Sequence, residues 1–85
     1  MFKKIGVIYK ESLSFDEDIS PHIETILSHS KELYFHKSAS DTPNKFPKLS
    51  KDELGDQSDL IIVFGGDGTM LSTARDFIGY DLLIM

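Results

Sequence analysis

Apolar residues in this chain come in short, nearly unbroken runs, separated by stretches whose apolar positions recur at helical spacing. The first run, Ile5-Gly6-Val7-Ile8-Tyr9, has the character of a strand covered on both faces, with Gly6 marking a close backbone approach. Ser20-Pro21 then reads as an N-cap followed by proline at the first helical position, leading into Ile23, Ile26 and Leu27 on one face of a short helix. Leu33, Tyr34 and Phe35 supply a second, short strand. Residues 38–48 hold two prolines and no apolar period, which predicts a mobile loop in which Phe46 is either an anchor or a lid. Ser50 and Glu53 have the spacing of a capping box, with Leu49 and Leu54 placed as a hydrophobic staple, so a second helix is expected to end near Gly55. Asp59 to Phe64 is the third predicted strand. Met70, Leu71, Ala74, Phe77 and Ile78 recur at i, i+1, i+4, i+7 and i+8 on a third helix that Gly79 terminates, and Leu82 to Met85 open a fourth strand.

Alternating strands and helices imply an α/β fold with a parallel sheet and right-handed crossovers, in which ligands bind beyond the carboxyl ends of the strands. Gly65-Gly66-Asp67-Gly68-Thr69 stands at such an end, between a buried strand and a patterned helix. Glycines at this turn let backbone amides converge on an anion, and the helix start favours negative charge. Asp67 complicates that reading, because a carboxylate about 4 Å from one phosphate charge costs about 4 kcal/mol at an effective dielectric of 20. Two arrangements offset the repulsion: a divalent cation bridges Asp67 and the phosphates, or Asp67 faces an acceptor hydroxyl and takes its proton during phosphoryl transfer. Both describe a kinase-like site. The competing structural reading is a tight turn in which Asp67 or Thr69 caps the next helix, and Thr69 is expected to combine capping with ligand contact. Neither a Walker loop with its own lysine nor a G-x-G-x-x-G fingerprint occurs, so cationic help must come from elsewhere.

Composition narrows the partners. The 85 residues allow one compact unit, and 14 acidic against 9 basic residues give a net charge of −5, which argues against a broad grip on nucleic acid or on an anionic membrane. With no cysteine, thiolate metal sites and cysteine nucleophiles are excluded. The apolar stretch after Met1 is too short for a secretory leader and no run approaches the about 18 apolar residues of a membrane span, so a cytoplasmic location is expected. Asp16, Glu17 and Asp18 are read as helix-end electrostatics, and His22, His29 and His36 lack the spacing of a metal set. Arg75 is assigned to a solvated helix face with Ser72, Thr73 and Asp76 and is left out of the site.

Gly65-Gly66-Asp67-Gly68-Thr69-Met70-Leu71 followed by Ala74-Arg75 resembles the first signature of the NAD kinase family, and the layout around it is similar, down to the Tyr80-Asp81 step into the last strand. The resemblance implies a Rossmann-like, phosphofructokinase-like parallel-sheet domain in which residues 1–85 are the N-terminal α/β nucleotide-binding part, truncated in its fourth strand and lacking a β-rich NAD-binding domain. It further implies transfer of a phosphoryl group from ATP or polyphosphate to the 2′-hydroxyl of the adenosine ribose of NAD, with a divalent metal such as magnesium. Asp67 would be the catalytic base; Gly65, Gly66, Asp67, Gly68 and Thr69 would hold NAD and phosphate, and no residue is assigned as a metal ligand. A homo-oligomeric parent is expected, and the 85 residues alone are expected to be inactive. Lipid kinases of the diacylglycerol and sphingosine type use a similar loop and 6-phosphofructokinase a related one, while the flanking sequence favours NAD. A nucleotide-binding remnant without activity is the non-enzymatic alternative. A receiver-like phosphoacceptor is disfavoured by the position of Asp16, Glu17 and Asp18 well after the first strand.

Overall fold

The computed structural model describes residues 2–10, 12–38, 41–80 and 82–85. Five parallel strands form one sheet in the order β3-β2-β1-β4-β5, with β1 Phe2–Tyr9, β2 Ser30–His36, β3 Lys48–Leu49, β4 Leu60–Phe64 and β5 Leu83–Ile84. Three α-helices accompany them, α1 Ser20–Leu27, α2 Lys51–Gln57 and α3 Asp67–Asp76. The expected α/β class with a parallel sheet is what forms.

Two-residue alternation on doubly covered strands splits the core into two clusters. Ile5, Val7, Tyr9, Leu33, Phe35 and Leu60 pack with Ile26 of α1 on one face. Ile8, Tyr34, Ile61 and Val63 point the other way, toward Leu54 of α2 and Phe77 after α3. Gly6 lies in that second face, where an added Cβ would stand 2.8 Å from Ile61 Cδ1 and 3.0 Å from Leu54 Cδ2. The sheet and α2 therefore meet at backbone distance, as the sequence suggested.

Four expectations need correction. The strand count is five, because Lys48 and Leu49 pair in parallel with Phe35 and His36; a two-residue strand is too short to show a period, and the segment expected to be the fourth strand is the fifth. The first helix begins earlier than Ser20: a π-helical turn over Phe15–Ile19 precedes α1, capped by Ser14, whose N–H donates to Asp18 Oδ2 at 2.7 Å. Pro21, which has no N–H to give, sits just after that wider turn. Helix α2 does not stop at Gly55 but runs through it, since this glycine makes room for the Tyr80 ring rather than ending the helix; a Cβ there would lie 2.5 Å from the ring. The third helix ends at Asp76, so Phe77 and Ile78 fall just after α3; Leu71 and Ile78 are 66% and 77% exposed while Thr73 and Phe77 are buried. The Thr73 hydroxyl donates to the Thr69 carbonyl at 2.8 Å, which satisfies its polar group within the helix.

Other expectations hold. Ser50 and Glu53 exchange both capping-box bonds, and Leu49 packs against the cluster that contains Leu54. Gly79 is the exception: it adopts φ +92°, but α3 has already ended at Asp76 with Phe77 as its C-cap, so this glycine lies in the following turn and does not terminate the helix. Phe46 is a loop anchor, its ring 5.2 Å from Phe35 and 6.0 Å from Phe15. The same loop is tied down by Asp41, which accepts from the Phe15 N–H at 2.8 Å and from the Tyr9 hydroxyl, and by Thr42, 2.7 Å from Tyr9 Oη. Ala39 and Ser40 of that loop, and Asp81 of the step into β5, lie outside the described residues.

Candidate functional site

The chain leaves β1 toward one face and β4 toward the other, so their carboxyl ends flank the point where the strand order reverses. The Lys10 N–H donates to the Phe64 carbonyl at 3.1 Å and holds those two ends together. Residues 65–69 open directly from this crevice.

Gly65 takes φ +153°, and a Cβ on it would meet Thr69 Oγ1 at 2.9 Å. Glycine is thus demanded there by the fold. Gly66 and Gly68 are different: both have ordinary φ, and an added Cβ would meet nothing within 4 Å. Gly68 is the second residue of α3, where glycine costs roughly 1 kcal/mol relative to alanine, so the fold gains nothing from it. Both glycines border open space.

Gly66 is the N-cap of α3, and no side chain makes a capping hydrogen bond there. This removes the reading in which Asp67 or Thr69 serves as the cap, including the capping half of the role expected of Thr69. Helix α3 starts at Asp67, too early for either residue to reach back across it, and Thr69 instead packs over Gly65. Asp67 is exposed on the first turn, where the helix dipole favours its charge. A helix start with no side-chain cap, an exposed carboxylate and open space above two glycines coincide in five residues.

Beside the loop lies a cleft of about 390 Å³ between α2 and α3, lined in part by Gly68 and Thr69. Ile8 and Phe77 supply apolar lining, and His36, Lys51, Ser72 and Asp76 supply the polar groups. Asp67 does not line it. The Ser38 N–H donates to His36 Nδ1 at 3.1 Å. Burial holds the His36 imidazole below the usual histidine range, Lys51 adds to that shift and Asp76 opposes it.

No family model matches the chain. Among curated proteins, the NAD kinase of Campylobacter jejuni subsp. doylei is 37% identical over 84 residues, which are 98% of this chain and 29% of that protein. The NAD kinase of Natranaerobius thermophilus is 29% identical over 85 residues, 98% of this chain and 30% of that protein. The chain belongs to the NAD kinase family. It spans 29% to 30% of the length of these two relatives. A third NAD kinase, from Teredinibacter turnerae, is 51% identical over 39 residues, 46% of this chain.

In this member of the NAD kinase family, Gly65, Gly66, Asp67, Gly68 and Thr69 come together at the crevice, while Arg75 is exposed in the last turn of α3. Ser72 and Asp76, grouped with Arg75 by sequence, line the cleft, and Thr73 is buried. Sequence reasoning missed Lys10, His36 and Lys51. Lys10 was findable as the first residue after a parallel strand; His36 and Lys51 become neighbours only when β2 and α2 pack. Among the described residues, no group of three or more His, Asp and Glu side chains is placed to hold a metal ion, and no helix is long and apolar enough to cross a membrane.

Proposed function

We propose that this chain carries the phosphoryl-transfer loop of an NAD kinase, with Asp67 as the base that accepts the 2′-hydroxyl proton of the adenosine ribose of NAD. The observation that carries the proposal is the α3 N-terminus: its amides are free of any side-chain cap, Asp67 is exposed beside them, and the Gly66 and Gly68 positions border empty space. In the proposed reaction the 2′-oxygen attacks the terminal phosphorus of ATP or of polyphosphate as its proton passes to an Asp67 carboxylate oxygen. A new oxygen–phosphorus bond forms, the bond to the bridging oxygen breaks, and ADP or a shortened polyphosphate departs. The helix-terminal Gly68 N–H and the Thr69 hydroxyl hold the anionic phosphates, the Thr69 N–H being taken by the Gly66 carbonyl at 3.1 Å. Lys10, whose N–H donates to the Phe64 carbonyl just before Gly65, is the basic residue proposed to supply positive charge to the phosphates.

Magnesium suits a site with few protein carboxylates, because it keeps several waters and leans on substrate phosphates. It would ride on the donor and neutralise its charge, with no protein ligand assigned. The isolated 85 residues are proposed not to turn over, since an exposed Asp67 works in a site open to water. Family resemblance extends the proposal to a homo-oligomer acting in the cytoplasm on NAD and ATP.

Incubating the chain with ATP and magnesium and, in parallel, NAD, diacylglycerol or sphingosine as acceptor separates the elements of this reading. Nucleotide binding without NADP accumulation is expected; sustained NADP formation contradicts the predicted inactivity, and phosphorylation of diacylglycerol or sphingosine in place of NAD overturns the choice of acceptor.

A further inference from the structure

Strand β2 keeps an open edge along its amino-terminal half. Strand β3 pairs with it only at Phe35 and His36, and among the described residues no strand lies beside Ser30–Tyr34 on that side. Phe35 and Lys37 donate their N–H groups across this edge to the Pro47 and Leu49 carbonyls, at 2.9 Å and 3.0 Å. By the alternation of a strand, the N–H and C=O of Lys31 and Leu33 face the same way, where β3 does not extend. A groove of about 260 Å³ lies here, lined by Leu27, Leu33, Tyr34, Lys45 and Phe46 among others. Leu33 belongs to the core cluster on the α1 side and Tyr34 to the cluster on the α2 side, so a groove touching both straddles the strand edge.

The charge around this edge is opposite to that of the whole chain. Residues 31–51 hold five of the nine basic residues and two of the 14 acidic ones, a local charge of +3 in a chain of −5. Both acidic groups are engaged within the chain: Glu32 accepts from the Tyr34 hydroxyl, and Asp41 from the Phe15 N–H and the Tyr9 hydroxyl. Lys31 and Lys45 are exposed, and Lys45 Nζ stands 5.3 Å from the centre of the Phe46 ring, beside the groove.

We propose that the open edge of β2 receives an acidic segment of a partner protein, which adds to the sheet as an extended strand in line with β3. Main-chain bonds to Lys31 and Leu33 supply the pairing, the groove takes an apolar side chain, and Lys31 and Lys45 meet the carboxylates that flank it. Lysines on a strand edge repel the same edge of a second copy, so the charges that keep two of these chains apart select a strand of opposite sign. Unpaired backbone donors and acceptors beside an apolar groove match a peptide, whereas a nucleic acid would call on the lysines alone. The edge is at the amino-terminal half of β2, while Gly65 follows the carboxyl end of β4, two places away in the parallel sheet. Docking there is therefore independent of the phosphotransfer reading.

The test titrates the full 85-residue chain with a short, end-capped peptide of alternating glutamate and valine, followed by fluorescence anisotropy and by amide hydrogen exchange. Two control peptides replace glutamate by lysine or carry N-methyl groups at alternate residues, which removes strand pairing and keeps the charge. The acidic peptide is expected to bind below millimolar concentration and to slow exchange at Lys31 and Leu33, with each control weaker by about tenfold or more. Lys31→Glu and Lys45→Glu, their folds verified by circular dichroism, should each weaken binding by about fivefold. Arg75→Glu, the same charge reversal at an exposed position on α3, should stay within about twofold. Failure to bind at millimolar concentration, equal binding of either control peptide, or exchange slowed at β5 instead of Lys31 and Leu33 overturns the proposal. So does a single-stranded oligonucleotide that displaces the peptide at equal concentration, or self-association of the chain that protects the same two amides.

Discussion

Gly65 lies directly beneath Thr69, so close that a single added methyl group would come within 2.9 Å of the threonine hydroxyl. Its φ of +153° adds a backbone demand that only glycine meets at little cost. Gly68, three residues on, has neither restriction. The glycines of one motif therefore do different work, one holding the turn and the other leaving room.

Alanine substitutions separate these duties. Gly65→Ala should destabilise the chain by about 1–2 kcal/mol or more, lowering the thermal midpoint by about 4–8 °C for each kcal/mol in a domain of this size. Gly68→Ala should leave the midpoint unchanged or raised, by up to about 1 kcal/mol, while weakening phosphate binding severalfold. Thermal unfolding followed by circular dichroism, paired with ATP titration, reads both. A Gly68→Ala variant that loses stability and keeps its affinity contradicts the assignment.

Gly55→Ala offers a second test, of packing between α2 and the turn after α3. Alanine is the better helix former by about 1 kcal/mol, but its Cβ would stand 2.5 Å from the Tyr80 ring, and overpacking costs about 1–3 kcal/mol. Net destabilisation is expected, measured as a lower urea midpoint. Combining Gly55→Ala with Tyr80→Ala should recover the helix gain, and equal losses in the single and double variants would show that the ring is not the obstacle.

These contacts mark the boundary of what sequence reveals. The β4–loop–α3 unit was legible because Leu60 to Phe64 form an unbroken apolar run and Gly65-Gly66 punctuate it, both local signals. The Ser50–Glu53 cap was legible for the same reason. Gly55 misled because a glycine inside a helix and a glycine ending one look alike until Tyr80, distant in sequence, takes its place over the backbone. Thr73 misled because its polarity argued for solvent, whereas its hydroxyl turns inward to Thr69. Lys51 and His36 meet across the cleft only through the β3 pairing, which two residues cannot announce.

The Asp41–Tyr9 pair predicts a pH signature. Asp41 is held below the usual carboxylate range, first by the Phe15 N–H and then by the Tyr9 hydroxyl; Tyr9 is pushed up to about 12, first by burial and then by Asp41. The Asp41 contribution is fully present above the unfolded value of about 3.9 and is lost as pH falls through the lower folded value. The Tyr9 contribution is present below about 10 and is lost as pH rises toward its folded value. Asp41→Asn should cost about 1 kcal/mol near pH 7, after discounting for its exposure, with the deficit shrinking below pH 4. Urea unfolding of both proteins across that range checks the sign, and a deficit that grows in acid contradicts it.

The role of Asp67 is tested most directly by grafting. The matching 84 residues of the Campylobacter jejuni subsp. doylei relative are replaced by this chain, and the initial rate of NADP formation is compared for Asp67 and Asp67→Asn forms of the chimera. Loss of a general base predicts a fall of about 10²- to 10⁴-fold in kcat with ATP binding retained. A chimera that makes NADP equally fast with asparagine at this position contradicts the account.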